Sequence, residues 1–123
     1  MNEELKIITK LTKALSDDTR IRIVNLLSKK ERLCVCEINE IIGLSQPTIS
    51  SHLKILENAN VLVFRKEGLW VEYMINPDME KYQKDMIETI SKSIAEDKTI
   101  QMDLEKSMTV DREEITKNKK FRK

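Results

Sequence analysis

Apolar spacing along this chain predicts a mainly α domain with a small β-hairpin, in the order helix-helix-helix-helix-hairpin-helix. Three observations carry that reading. Apolar residues recur every three or four positions up to residue 58 and again over 79–95, the period of helices buried on one face. Over 61–75 the period becomes two, as in strands, with Glu67-Gly68 as the turn between them. Two glycines, two prolines and 4% aromatic residues, against 35% charged ones, suit helices better than a sandwich or barrel.

Each element has its own signal. Leu5, Ile8, Leu11 and Leu15 place a first helix over 3–15. Ser16 reads as the N-cap of a second, with Asp17 and Asp18 in the first turn, where carboxylates favour the positive end of the helix dipole. Ile21, Val24 and Leu27 form its apolar face, and Lys29-Lys30-Glu31-Arg32 is a charged connector. Ile38, Ile41 and Ile42 define a third helix, which Gly43 ends in the left-handed conformation. Ser45 caps a fourth, with Pro47 in its first turn, where a missing N–H does no harm. This helix buries Ile49, Leu53 and Leu56 and stops near Asn58-Ala59-Asn60. Val61–Lys66 and Trp70–Ile75 form the hairpin. Asn76-Pro77-Asp78 leads into a last helix over 79–95 carrying Tyr82, Met86, Ile87, Ile90 and Ile94. Helices three and four form a helix-turn-helix, and the hairpin is its wing.

With 123 residues the chain holds one domain. Residues 1–96 are read as the winged helix-turn-helix with dimerising terminal helices, and 97–123 as a poorly ordered or irregular charged tail. Acids crowd 96–114, and Lys117-Asn118-Lys119-Lys120-Phe121-Arg122-Lys123 is basic. No run of eighteen apolar residues exists to span a membrane, and Met1-Asn2-Glu3-Glu4 lacks the order of a signal peptide, so the expected place is the cytoplasm. A net charge of +1 is no argument for nucleic acid. Enzymatic activity is not expected: no nucleophile is paired with a base, and two isolated glycines make no phosphate-cradling loop.

The fourth helix is the candidate DNA reader. Opposite its buried stripe lie Pro47, Thr48, Ser51, Lys54 and part of Ile55, flanked by Gln46, Ser50 and His52, with the capping Ser45 counted among the candidate DNA contacts. Short polar side chains near a helix N-terminus reach base edges and phosphates without a long, entropically costly extension. Arg65 and Lys66 sit at the wing tip, where cations meet phosphate and add affinity more than sequence readout. Alone, each feature is also an ordinary capped surface helix or a solvated hairpin edge; their order along the chain favours DNA. His52, the only histidine, has no second histidine or cysteine a turn away, so DNA contact or a plain surface role outweighs metal ligation. A helix-turn-helix reads two half-sites as a dimer, and Leu5, Ile8, Leu11, Tyr82, Met86, Ile90 and Ile94 form the candidate homodimer surface.

Both cysteines lie in one Cys-x-Cys, Cys34 and Cys36, just before the helix-turn-helix. Thiolates suit Zn(II), Cd(II), Pb(II), Cu(I) and trivalent arsenic or antimony. An i,i+2 pair converges on an extended or distorted backbone and not on a regular helix, so chelation is expected to oppose a regular first turn of the third helix. Alternatives are two small packed side chains, a redox pair, or a thiol metal buffer that binds no specific DNA.

Four stretches together resemble the arsenic-repressor family of winged-helix metalloregulators, the ArsR/SmtB type: Ala14-Leu15-Ser16-Asp17-Asp18-Thr19-Arg20, Leu33-Cys34-Val35-Cys36-Glu37, Leu44 through Leu53, and Arg65-Lys66-Glu67-Gly68-Leu69-Trp70-Val71. The resemblance covers residues 5–95. It implies a dimeric repressor, bound to double-stranded operator DNA, that leaves when an ion binds, with no obligatory cofactor. The Leu-Cys-Val-Cys element matches both an arsenite- and antimonite-sensing branch and a cadmium- and lead-sensing branch. Arsenic sensors often carry a third cysteine where this chain has Asn39, the cadmium branch draws cysteines from an N-terminal arm that has none here, and the helix over 79–95 lacks the histidines of a zinc-type site. The expected effector is therefore As(III) or Sb(III) on Cys34 and Cys36, with thiol oxidation or another soft metal as the alternative.

Overall fold

Seven helices and a three-stranded sheet make up residues 3–121, which the computed structural model describes, with side chains described for 3–117. In chain order they are α1 (Glu3–Ala14), α2 (Asp18–Lys29), β1 (Leu33–Cys34), α3 (Val35–Ile42), α4 (Gln46–Asn58), β2 (Leu62–Glu67), β3 (Trp70–Ile75), α5 (Lys81–Ser93), α6 (Lys98–Thr109) and α7 (Arg112–Phe121). Met1, Asn2, Arg122 and Lys123, parts of the expected acidic start and basic tail, lie outside the described residues.

Caps and turns explain most boundaries. Asp17, not the expected Ser16, caps α2: its backbone is extended and its carboxylate accepts the Arg20 amide at 3.1 Å. Ser16 instead sits in the turn, its hydroxyl donating to the Lys13 carbonyl. Ser45 caps α4 and accepts the Thr48 amide. Gly43 ends α3 at φ 81°, and Asn60 follows α4 at φ 60°, both in the left-handed region. The hairpin turn is Gly68-Leu69 and not Glu67-Gly68, because Glu67 pairs with Trp70. Gly68, at φ 59°, takes the first turn position, where a positive φ matches the strand twist.

The core is the apolar stripe of each helix turned inward. Leu11, Ile23, Leu26, Ile38, Ile41, Ile49, Leu53, Leu56, Val61 and Leu62 are fully enclosed. Ile38 and Ile41 from α3 meet Ile49 and Leu53 from α4 in one cluster, which sets the helix-turn-helix angle. Truncating such a residue leaves a cavity and costs about 2–5 kcal/mol.

Two regions differ from expectation. The hairpin is part of a three-stranded sheet of order β1-β3-β2, with Leu33 opposite Tyr73 and Cys34 opposite Glu72. A two-residue strand has no period of its own, so only pairing reveals it. The segment after residue 96 is also not an irregular tail. Asp97 caps α6 by accepting the Thr99 and Ile100 amides at 2.9 and 3.2 Å. Ile100, Asp103 and Ser107 are buried along one face, and Asp103 takes two bonds from Arg22 of α2, at 2.8 and 2.9 Å. Such a bidentate pair tolerates burial where a lone carboxylate does not. Ile115 of α7 is buried too, beside Glu40 and Ile41 of α3.

Candidate functional site

The cysteine pair meets because its two residues stand on either side of a helix boundary. Cys34 ends β1 and is the N-cap of α3, with extended φ −78° and ψ 160°, while Cys36 is already helical. An N-cap side chain folds over the first turn it precedes. The two Sγ atoms lie 2.7 Å apart, and both cysteines are free of a disulfide. The expected conflict between convergence and a regular first turn is therefore absent: α3 starts regularly at Val35 with the sulfurs already together. The start is reinforced by Glu37, whose Oε1 accepts the Cys34 amide at 2.9 Å.

Cys34 is 1% exposed and Cys36 is half-buried. The contact with Cys36 pushes the Cys34 thiol well above its ordinary range, and burial pushes it further, while the Glu37 amide facing the sulfur pulls the other way. Cys34 thus holds its proton at neutral pH. Two sulfurs on one short segment suit a soft ion that accepts two protein thiolates. Among the described residues, no cluster of three or more His, Cys, Asp or Glu side chains is arranged to hold a metal.

β3 ties this pair to the rest of the site. Glu72, opposite Cys34, is buried and receives Arg65 Nε at 2.9 Å and Arg112 Nη1 at 2.8 Å, with Arg32 Nε at 3.8 Å. The Arg65 bond, then that of Arg112, holds the Glu72 carboxyl below the usual carboxylate range. Arg112 also lies over the Trp70 ring, 5.0 Å from its centre. The neighbouring Tyr73 donates to Glu57 of α4 at 3.2 Å, and burial beside Glu57 pushes its phenol up to about 12. One strand therefore touches the cysteines, the wing and the far end of α4.

On the DNA side, the N-cap Ser45 and, on α4, Gln46, Thr48, Ser50, Ser51 and Lys54 are all exposed. His52 is not a free surface side chain. Arg20 Nη1 donates to His52 Nδ1 at 3.1 Å, and Asp17 Oδ2 lies 3.8 Å away. Since guanidinium only donates, Nδ1 accepts and Nε2 carries the proton. Arg20 also donates to the Ala14 carbonyl at 2.7 Å, which ties α4 to the α1–α2 turn. Arg65 is likewise paired within the protein, with Glu72, though it is exposed, as is Lys66.

The expected dimer residues divide. Leu5 and Ile8 are exposed, at 53% and 37%. Leu11 is fully enclosed in its own protomer, which removes it from any direct interface. Tyr82, Met86, Ile90 and Ile94 are half-buried, with Met86 and Ile90 packed against their own core.

Sequence reasoning missed Arg20, Glu72, Tyr73 and Arg112. Their partners lie up to 40 residues away, and no local pattern marks such pairs.

Comparison with known proteins decides the family. Residues 17–62 match the model described as bacterial regulatory protein, arsR family. The arsenical resistance operon repressor of Staphylococcus xylosus is 35% identical over 88 residues, 72% of this chain and 84% of that protein. The chain belongs to the arsR family. The arsenic resistance transcriptional regulator ArsR1 of Pseudomonas putida is 40% identical over 78 residues, 63% of this chain. A cadmium resistance transcriptional regulatory protein CadC homolog of Staphylococcus aureus is 43% identical over 74 residues, 60% of this chain. The chain spans 61% of the length of each of these two. The structure of HlyU from Vibrio cholerae superposes with a TM-score of 0.68 at 27% identity, over 77% of this chain and 99% of that one. This arsR-family chain thus has the winged helix-turn-helix fold of transcriptional regulators, and its relatives are regulators rather than enzymes.

Proposed function

We propose that this arsR-family chain is a homodimeric, cytoplasmic transcriptional repressor that leaves its operator when trivalent arsenic or antimony binds Cys34 and Cys36. The observation that carries the reading is the 2.7 Å approach of two sulfurs that form no disulfide, at the start of the helix that supports the recognition helix. Two soft donors with little chain between them lose little ordering entropy on chelation. The raised Cys34 thiol favours the same ligand. Arsenous acid is neutral and condenses with two thiols by releasing two waters, whereas a divalent cation has to expel their protons.

Two routes lead from the cysteines to DNA. One is α3, whose Ile38 and Ile41 pack in the cluster that holds Ile49 and Leu53 of α4. The other is β3, where Glu72 opposite Cys34 anchors the wing cation Arg65 and Tyr73 reaches α4. A ligand that repositions Cys34 acts on both reading elements. By linkage, DNA then weakens effector binding by the same factor by which effector weakens DNA binding, typically ~5–150-fold.

Gln46, Thr48, Ser50 and Ser51 supply base and phosphate contacts in this reading, with Lys54 and Lys66 on phosphates. His52 offers its Nε2–H, and Arg65 shapes the wing through Glu72. Leu5 and Ile8, with the outer faces of Tyr82, Met86, Ile90 and Ile94, meet the second protomer.

The test is a titration of the intact protein on duplex DNA from its own upstream region, repeated with arsenite, antimonite, cadmium, zinc and peroxide. Release by arsenite or antimonite at stoichiometric amounts supports the reading. Release only by cadmium, or only by peroxide through the closely spaced sulfurs, replaces the effector and keeps the repressor. Metal binding without any DNA binding leaves a thiol metal buffer.

A further inference from the structure

A cleft of about 360 Å³ lies where the last turn of α2, the end of β3 and one face of α5 come together. Small-molecule sites run from roughly 300 to 1,000 Å³ and combine an apolar lining with a few placed polar groups. The lining here is of that kind. Leu27, Met79 and Ile87 are buried and Ile75 is half-buried, so the floor is aliphatic and holds no aromatic ring.

Three exposed lysines, Lys29, Lys84 and Lys92, line the same cleft. Lys92 is neutralised by Glu88 at 3.0 Å. Lys29 and Lys84 have no ion-pair partner among the described residues. Two uncompensated cations thus border one apolar floor. Ser91 lines the cleft too, but its Oγ donates to Asn25 Oδ1 at 2.7 Å. With that proton committed, Ser91 offers only lone pairs, which repel an anionic group. The negative end of a ligand therefore belongs at Lys29 and Lys84, and its apolar part on the floor.

The cleft is separate from the other sites. It contains neither cysteine and nothing of α4 or the wing tip. At 3.6 residues per turn, Lys84, Glu88 and Ser91 lie on the opposite side of α5 from Tyr82, Met86 and Ile90. A second protomer seated on those three residues leaves the cleft open.

We propose that this cleft binds an aliphatic carboxylate, its chain on Leu27, Ile75, Met79 and Ile87 and its carboxylate between Lys29 and Lys84. Removal of the chain from water supplies the affinity, and the two cations select the charged end.

The experiment titrates the intact chain, labelled with carbon-13 at its methionine methyls, with butanoate, hexanoate, octanoate and the uncharged octanamide. Met79 reports the floor, and Met102 and Met108, exposed on α6, report non-specific binding. The Met79 signal is expected to shift and saturate at one octanoate per chain, while Met102 and Met108 stay in place. Affinity should rise up to about fourfold for each methylene added between butanoate and octanoate. Octanamide should bind more weakly. Lys29→Gln combined with Lys84→Gln keeps helix propensity nearly unchanged. That variant should weaken octanoate roughly 2- to 30-fold, the worth of two solvent-exposed ion pairs, and leave octanamide unaltered. Octanamide bound as tightly as octanoate, an octanoate affinity unchanged in the lysine variant, or equal shifts at Met102 and Met108 overturns the inference. So does a Met79 signal that moves with protein concentration and ignores octanoate, which assigns the cleft to a contact between copies of the chain.

Discussion

Lowering the pH separates trivalent arsenic from divalent cations at the cysteine pair. Cys34 is 1% exposed, lies 2.7 Å from the Cys36 sulfur, and is held as a thiol far above the ordinary range. A thiol whose pKa is raised stays protonated across the whole interval from mildly acidic to mildly alkaline pH. A divalent ion that needs thiolates must expel the Cys34 proton at least, and two protons if Cys36 is also protonated. Each proton released changes affinity about tenfold per pH unit, or ~1.4 kcal/mol. Between pH 6 and 8, cadmium affinity should therefore rise roughly 100-fold for one proton and 10,000-fold for two. Arsenous acid exchanges water and no protons, so its affinity should change by less than about threefold. Displacement of a fluorescent operator duplex, with DNA affinity in the absence of effector measured separately at each pH, gives both curves. Arsenite affinity that climbs tenfold or more per pH unit, or cadmium affinity that stays level, would refute the assignment of a protonated Cys34 and the selectivity drawn from it.

Other expectations follow from the same geometry. Cys34→Ser and Cys36→Ser should each retain operator binding and lose release by arsenite, as read by anisotropy; release that survives in the double variant sinks the proposed site. Gln46→Ala or Ser51→Ala should cost roughly 1–3 kcal/mol on the operator and relax base preference, while Lys66→Ala weakens all duplexes alike and reduces salt dependence. Asp103→Ala strands Arg22, whose side chain is 22% exposed and can still reach water, so the loss should be about 2 kcal/mol and below the roughly 3–5 kcal/mol of a fully buried pair. Urea unfolding with an unchanged m-value checks that figure, and a variant as stable as the parent would show that α6 is not held by this pair. Ile8→Asp places a carboxylate on an exposed apolar site, so sedimentation should show a shift from dimer to monomer; an unshifted dimer moves the interface elsewhere.

Local periodicity was enough for α1 to α5 and the hairpin, because each buries a continuous apolar stripe that its own residues announce. Caps such as Ser45 and terminators such as Gly43 were legible for the same reason: their chemistry is satisfied within four residues. The α6 helix escaped because its buried face is Ile100, Asp103 and Ser107, which reads as polar until Arg22 of α2 is seen to complete it. β1 escaped because two residues have no period, and only β3 makes them a strand.

At the candidate site the division is similar. Two cysteines at i and i+2 are visible in the chain, as is a polar arc after Gly43. Their meeting depends on Cys34 being an N-cap, a property of the β1-to-α3 boundary that β3 creates. His52 and Arg65 are the right residue types for DNA contact, but side chains 32 and 7 residues away, Arg20 and Glu72, decide where they point. The sequence by itself therefore determined the helix-turn-helix, its wing and the soft-donor pair, since short-range spacing encodes them. Tertiary packing alone decided which of those side chains are paired within the protein, because burial and ion pairing are settled by neighbours distant in the chain.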